Sequence, residues 1–253
     1  MKEGHVNCNL DQKGLATIEF GHPSSNSLPG EILSKIANAI TEVSNDKNCK
    51  LILLKSSGNK VFCAGASFDE LIAIESIEDG KIFFSGFAKV INACRTSTKL
   101  IIGRIQGKAV GGGVGIASAV DYAFATESAS VKLSELAVGI GPFVVGPAVE
   151  RKIGLSAMSQ LAINATAWRS ARWAEKKGLY ANVFEDIHQM DEGIAKLVEK
   201  LTSSNPLAME HLKRVFWKGT EHWDQLLSDR AEISGRLVLS DFTKNAIQSF
   251  KKT

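Results

Sequence analysis

Up to about residue 190 the chain alternates short apolar runs with stretches whose apolar residues recur at helical spacing, and beyond it only the helical spacing continues. A chain that switches repeatedly between these two periods has to layer helices on a sheet, and short strands separated by helices pair in parallel. Leu15 to Phe20 alternates in the strand manner and predicts burial of Ala16, Ile18 and Phe20. Ile32, Leu33, Ile36, Ala37, Ile40 and Val43 predict an amphipathic helix over residues 30–44. Leu51 to Leu54 is a continuous apolar run stopped by Ser56-Ser57-Gly58, as expected of a strand covered on both faces. Val61 to Ala66 is a second short apolar stretch, and Ile82, Phe83, Phe87, Val90, Ile91 and Cys94 mark the next helix. Leu100 to Val110 contains a strand, residues 113–120 are small and apolar enough for a buried helix, and residues 121–126 read as the strand after it. The unit strand, strand, helix thus recurs at 15–44 and at 51–94 extending to 120.

Residues 191–253 carry helical spacing at Ile194 to Leu201, Leu207 to Trp217, Leu226 to Leu237 and Phe242 to Phe250, with Pro206 opening a new helix after Asn205. A helical stretch this short cannot bury its own apolar surface. It is expected to pack on a main domain at 1–190 or on another subunit, which makes oligomerisation the expectation.

The 253 residues carry 30 Lys+Arg against 27 Asp+Glu, a net charge of +3 with no basic run longer than surface pairs such as Arg151-Lys152 and Lys176-Lys177. Nucleic acid is therefore not an expected partner. No window is long and apolar enough for a membrane span, and the start, Met1 to His5, lacks a leader's apolar core, so a cytoplasmic location with no membrane contact is expected. The four cysteines, Cys8, Cys49, Cys63 and Cys94, read as reduced thiols, and the five histidines form no ligand pair, so no metal site is expected.

Two segments look like parts of a site. Phe62-Cys63-Ala64-Gly65-Ala66-Ser67 places tiny residues after an apolar run, and Gly107 to Gly115 leads a strand through Gly111-Gly112-Gly113 into a helix. Glycine lets a ligand approach main-chain N–H groups closely. At a helix start those N–H groups lack internal acceptors and sit in positive potential, which suits a developing negative charge. The spacing is not that of a dinucleotide or phosphate loop, and a lone glycine triplet is better explained by close packing of the helix at 113–120 on its strand.

Taken together, Phe62-Cys63-Ala64-Gly65-Ala66, the Gly111-Gly112-Gly113 turn, Asp121, Ser134-Glu135-Leu136-Ala137-Val138-Gly139-Ile140-Gly141-Pro142, Ala174, Gly178-Leu179 and Val183, and the helical tail from Asn205-Pro206, resemble the crotonase (enoyl-CoA hydratase/isomerase) superfamily over residues 10–252. The resemblance implies an α/β fold, a spiral of ββα units followed by a C-terminal helical trimerisation region, with trimers often paired into hexamers. It implies an acyl-CoA thioester as substrate, with coenzyme A entering as part of that substrate and no permanently bound cofactor. By motif position, the N–H groups of Ala66 and Gly112 would hold the thioester oxygen, and Glu135 would be a catalytic carboxylate. Ser25, Asn26 and Leu28 resemble the segment beside the CoA nucleotide, while Ala64, Ser67, Phe68, Gly111, Gly115, Pro142 and Phe143 would continue the substrate-binding wall. Lys55, Lys60, Arg104 and Lys251 are candidates for the CoA phosphates.

One departure stands out. Hydratases of the family use two glutamates, and the first of them falls at position 115, where this chain has Gly115. One positioned acid–base group is worth about 10²–10⁴-fold, so its loss points to a reaction that one carboxylate can run. Gly141-Pro142-Phe143, in place of the family's frequent Pro-Gly-Gly, also resembles the single-glutamate enoyl-CoA isomerases. The remaining readings are a hydratase that recruits Asp69 or Glu70, an enzyme whose space at Gly115 admits a branched or carboxylated acyl group, and an acyl-CoA binder without catalysis.

Overall fold

The computed structural model describes residues 4–250, so Lys251 lies outside it. A first turn comprises the antiparallel hairpin β1 (His5–Leu10) and β2 (Leu15–Gly21), then β3 (Ser27–Leu28) and α1 (Gly30–Asn45). β4 (Leu51–Ser56), β5 (Val61–Cys63), β6 (Gly65–Ala66), α2 (Phe68–Ile72) and α3 (Ile77–Thr96) make the second. The third is β7 (Leu100–Ile105), β8 (Lys108–Val110) and α4 (Gly112–Ala119). β9 (Tyr122–Thr126), β10 (Ser130–Lys132), a 3-10 turn at Glu135–Val138 and α5 (Gly146–Ile163) follow, then β11 (Arg169–Ser170), α6 (Ala171–Lys176) and β12 (Asn182–Phe184). The long strands build a six-stranded sheet in the order β1-β2-β4-β7-β9-β12, and the short ones a four-stranded sheet, β11-β10-β8-β5, and the pair β3-β6.

The apolar patterns account for these layers. Ala16, Ile18 and Phe20 are fully buried, as are Leu51, Ile52 and Leu54, and α1 buries Ile32, Leu33, Ile36 and Ile40 on one face. All eight residues of α4 are buried. Three expectations change. The strand expected within 100–110 is two, because Gln106 and Gly107 carry the chain from the large sheet to the small one: a Cβ on Gly107 would stand 2.2 Å from the Lys60 carbonyl oxygen, and Gln106 Nε2 donates to Ser56 Oγ. Helix α3 begins at Ile77, set by a capping box in which Asp79 N–H donates to Ser76 Oγ and Ser76 N–H donates to the Asp79 carboxylate. Lys152 is no exposed surface charge, since its ammonium donates to the carbonyls of Val120 and Asp121.

The remaining helices are α7 (Ile187–Thr202), α8 (Pro206–Phe216), α9 (Trp223–Leu237) and α10 (Asp241–Phe250). Helix α7 starts before the expected boundary at 190 and spans it. Met190, Ile194 and Met209 pack under the large sheet against Leu51, Leu100, Ile102 and Phe124. Helix α9 lies on α3, and the crossing is so close that a Cβ on Gly80 would fall 2.6 Å from Gly235 Cα. Buried Asp121 ties α8 to the spiral: its carboxylate accepts from Lys213 Nζ at 2.7 Å, Trp217 Nε1 at 3.0 Å and the Ile101 N–H at 2.7 Å. The helical stretch thus packs on the spiral of its own chain.

Candidate active site

The end of β8, the start of α4 and the end of β6 converge on one point. Gly111 precedes α4 with φ +52 and ψ −114, a conformation that glycine tolerates and other residues do not. Gly112 is the first residue of α4, so its N–H has no acceptor within the helix. Phe87 of α3 presses on Gly112, where a Cβ would meet the ring at 2.2 Å. Across from it, Leu28 pairs with Ala66 in a parallel ladder, and the Ser67 N–H donates to the Leu28 carbonyl at 2.9 Å. In such a pair Leu28 bonds the residues flanking Ala66, which leaves the Ala66 N–H off that ladder. The two segments are neighbours: a Cβ on Gly65 would lie 3.3 Å from the Val110 carbonyl oxygen and 4.0 Å from Gly112 N.

A cleft of about 520 Å³ opens here. Ala64, Gly65, Ala66, Gly112 and Glu135 line it together with Phe68, Phe83, Phe84, Phe87, Pro142 and Phe143, so its walls are largely aromatic. Among the described residues, Glu135 is the one carboxylate lining the cleft. It begins the 3-10 turn that follows β10, and its Oε1 lies over Gly111, 3.0 Å from where a Cβ there would stand. Its Oε2 is buried without a hydrogen-bond partner. Burial pushes its carboxyl up from 4.5 to about 7, against a smaller opposing contribution from its own N–H. The turn is backed by α10, since a Cβ on Gly139 would meet Phe242 at 2.5 Å and Thr243 Oγ1 at 2.7 Å.

The other residues marked in the sequence lie elsewhere. Gly115 does not line the cleft, and it leaves no vacancy: a Cβ there would stand 2.6 Å from Val145 Cγ1 and 3.6 Å from Ile91 Cδ1. The expectation of room for an enlarged acyl group at Gly115 is therefore corrected, because Val145 fills that volume. Asn26 is buried, and its side chain is committed to the backbone: Nδ2 donates to the carbonyls of Ser57 and Val61, and Oδ1 accepts from the His22 N–H. Leu28 is fully buried and Ser25 exposed. Ser67 caps α2 by accepting from the Glu70 N–H. Neither Asp69 nor Glu70 lines the cleft, and Glu70 accepts instead from the Gly30 N–H at 2.9 Å. Arg104 is paired with Asp191 and Lys55 with Glu19, which leaves Lys60 as the uncommitted phosphate candidate among the described residues. The sequence reading missed Lys132, Phe84 and Val145, which also line the cleft; of the aromatic wall, Phe68 and Phe143 were marked by the family resemblance and Phe83 and Phe87 only by helical spacing. No group of three or more metal-ligating side chains occurs among the described residues.

A family model described as enoyl-CoA hydratase/isomerase matches residues 11–251. The chain belongs to this family. It is 27% identical over 245 residues to the short-chain-enoyl-CoA hydratase of Clostridium acetobutylicum, covering 95% of this chain and 93% of that protein. It is 30% identical over 216 residues to human mitochondrial methylglutaconyl-CoA hydratase, covering 83% of this chain and 63% of that protein. Its fold matches the crystal structure of enoyl-CoA hydratase from Bacillus halodurans with a TM-score of 0.88 at 20% identity, over 96% of this chain and 99% of that one. This enoyl-CoA hydratase/isomerase family member is an acyl-CoA enzyme with the crotonase fold and a helical C-terminal region.

Proposed function

We propose that this enzyme moves a carbon–carbon double bond within an enoyl-CoA thioester, with Glu135 as the single proton carrier. The observation that carries this reading is that Glu135 stands alone as a carboxylate in the cleft among the described residues, while the position of the hydratases' first glutamate is Gly115, packed under Val145. Hydration needs one group to activate water and a proton delivered to the α-carbon. Isomerisation needs one base used twice.

In this mechanism the thioester oxygen accepts from the N–H groups of Ala66 and Gly112. The Glu135 carboxylate takes a proton from C2 of a 3-enoyl thioester, and the C2–H electron pair moves into the C1–C2 bond as charge collects on oxygen. The dienolate then collapses: a double bond forms between C2 and C3, and C4 takes the proton back from the Glu135 carboxyl. No atom is gained or lost. Removing one hydrogen-bond donor from such an oxygen site costs about 2.7–4 kcal/mol. A base with a pKa of about 7 is half ionised near neutrality, so it can both accept and return the proton.

The test is a panel of enoyl thioesters in deuterated water read by mass spectrometry. Deuterium entry and interconversion of 3-enoyl and 2-enoyl thioesters without a 3-hydroxyacyl product support the reading, and retention of both by Glu135→Gln overturns it. Hydration is the second reading, favoured by the names of the Clostridium and human relatives; a 3-hydroxyacyl product in the same panel would select it. We also propose a homotrimer, alone or paired into a hexamer, because the helical region leaves Leu207, Leu212, Val215 and Phe216 exposed. Light scattering tests this directly.

A further inference from the structure

Several cations in this fold are committed to carboxylates: Arg104 to Asp191, Lys55 to Glu19, Lys213 to Asp121, and Arg172 to Glu127 and Glu175. One edge of the cleft carries cations that are not. Lys132, at the end of β10, lines the cleft three residues ahead of Glu135. Its ammonium lies 4.5 Å from the centroid of the Trp168 ring, and that of Lys108 lies 5.2 Å from the same ring. Trp168 is 42% exposed, and Ala165 and Thr166, just before it, line the same cleft. Among the described residues no carboxylate pairs with either lysine. An indole face steadies an ammonium without neutralising it, so the pair is held in place with its charge unspent. Strand β11 adds Arg169 beside Val131, with its guanidinium over Trp173 and likewise no carboxylate partner.

A cleft walled largely by aromatic side chains, in which Glu135 is the one carboxylate among the described residues and Lys132 has no carboxylate partner, suits a substrate that is itself anionic beside that lysine. We propose that this edge of the cleft binds a carboxylate carried by the acyl group, making the preferred substrates monothioesters of dicarboxylic acids, with Lys132 as the direct contact and Lys108 reinforcing it. The inference rests on the reading above only in placing the thioester between Ala66 and Gly112. It does not depend on which reaction follows.

The experiment is calorimetric binding of a saturated dicarboxylic acyl-CoA and of its terminal methyl ester at equal chain length. Charge-assisted hydrogen bonds are worth roughly 1.5–3 kcal/mol, so the free acid is expected to bind about tenfold to a hundredfold more tightly. Lys132→Met, which keeps the apolar stem, should bring that ratio close to one, and Lys108→Met should lower it partway. Equal binding of acid and ester by the unaltered enzyme overturns the proposal without any variant, so a Lys132→Met protein that failed to fold would leave the decision intact. A Lys132→Met loss shared equally by acid, ester and free coenzyme A would assign the cation to the CoA phosphates and also overturn it. Failure of the isomerisation reading has a different signature: the acid is still preferred in binding, while no thioester exchanges its α-protons.

Discussion

The Glu135 carboxylate rests over Gly111, with Oε1 3.0 Å from the place a Cβ on that glycine would take. The glycine turn thus does two things at once. It frees an N–H at the start of α4, and it leaves the space in which the carboxylate of a residue 24 positions later is seated. Gly111→Ala would lose both, since its φ of +52 lies in the left-handed region and its methyl group would meet Oε1. Backbone strain of this kind costs about 1–3 kcal/mol. The expected outcome is a variant that folds with a lowered denaturation midpoint and whose kcat falls more than its KM rises, measured by chemical denaturation and steady-state kinetics.

The raised pKa of Glu135 sets the direction of the pH profile. The base must be ionised to take a proton, so kcat/KM should rise with pH through about 7 and then level off. A profile already flat from pH 5 upward would mean that Glu135 is not the titrating base.

Stability should run the other way. Glu135 binds its proton more tightly in the folded chain, with a pKa of about 7 against 4.5, so its contribution is fully present below pH 4.5 and is lost as pH rises to about 7. At about 1.36 kcal/mol per pKa unit this is on the order of 3 kcal/mol. Glu135→Gln should therefore be inactive yet better able to resist denaturant at pH 8 than the parent, with the advantage shrinking at pH 5.

Position 115 offers a direct check on the packing. Gly115→Glu has to push into Val145, and overpacking of a core typically costs about 1–3 kcal/mol. The expected result is lower stability and no gain of hydratase activity. Adding Val145→Gly should recover part of the stability, and assays of both variants with 2-enoyl thioesters read the activity.

The buried carboxylate of Asp121 should anchor the helical region as strongly as any single group in the chain. Lys213 and Asp121 have side chains 2% and 5% exposed. Breaking such a pair by removing one partner costs about 3–5 kcal/mol. Lys213→Met is expected to lower the denaturation midpoint accordingly, with loss of far-UV helical signal from the tail preceding loss of the sheet.

The layers and the two glycine-bearing segments were legible in the sequence because each leaves a local mark: Ala16, Ile18 and Phe20 on one strand face, and a triplet of glycines at a strand-to-helix junction. β1 left no such mark, since His5 to Leu10 is largely exposed and owes its strand form to pairing with β2. Helix α5 was masked by Gly154, whose φ of +77 kinks it and interrupts the apolar period. The role proposed for Glu135 rests on the family resemblance; its seat on Gly111 depends on a contact across 24 positions that no spacing rule encodes. Gly115 was the hardest to read, because a missing side chain in sequence looks like empty space, and Val145 shows that it is not.

Helix α10, with Phe242 and Thr243 set against Gly139, gives this enzyme an order of assembly in time. Every strand, the glycine turn and Glu135 itself are translated before α10, yet the apolar cluster under the Glu135 turn stays incomplete until Ile247 joins Ile140 and Val238. A nascent chain can thus complete its spiral while one side of the turn that carries Glu135 is still uncovered.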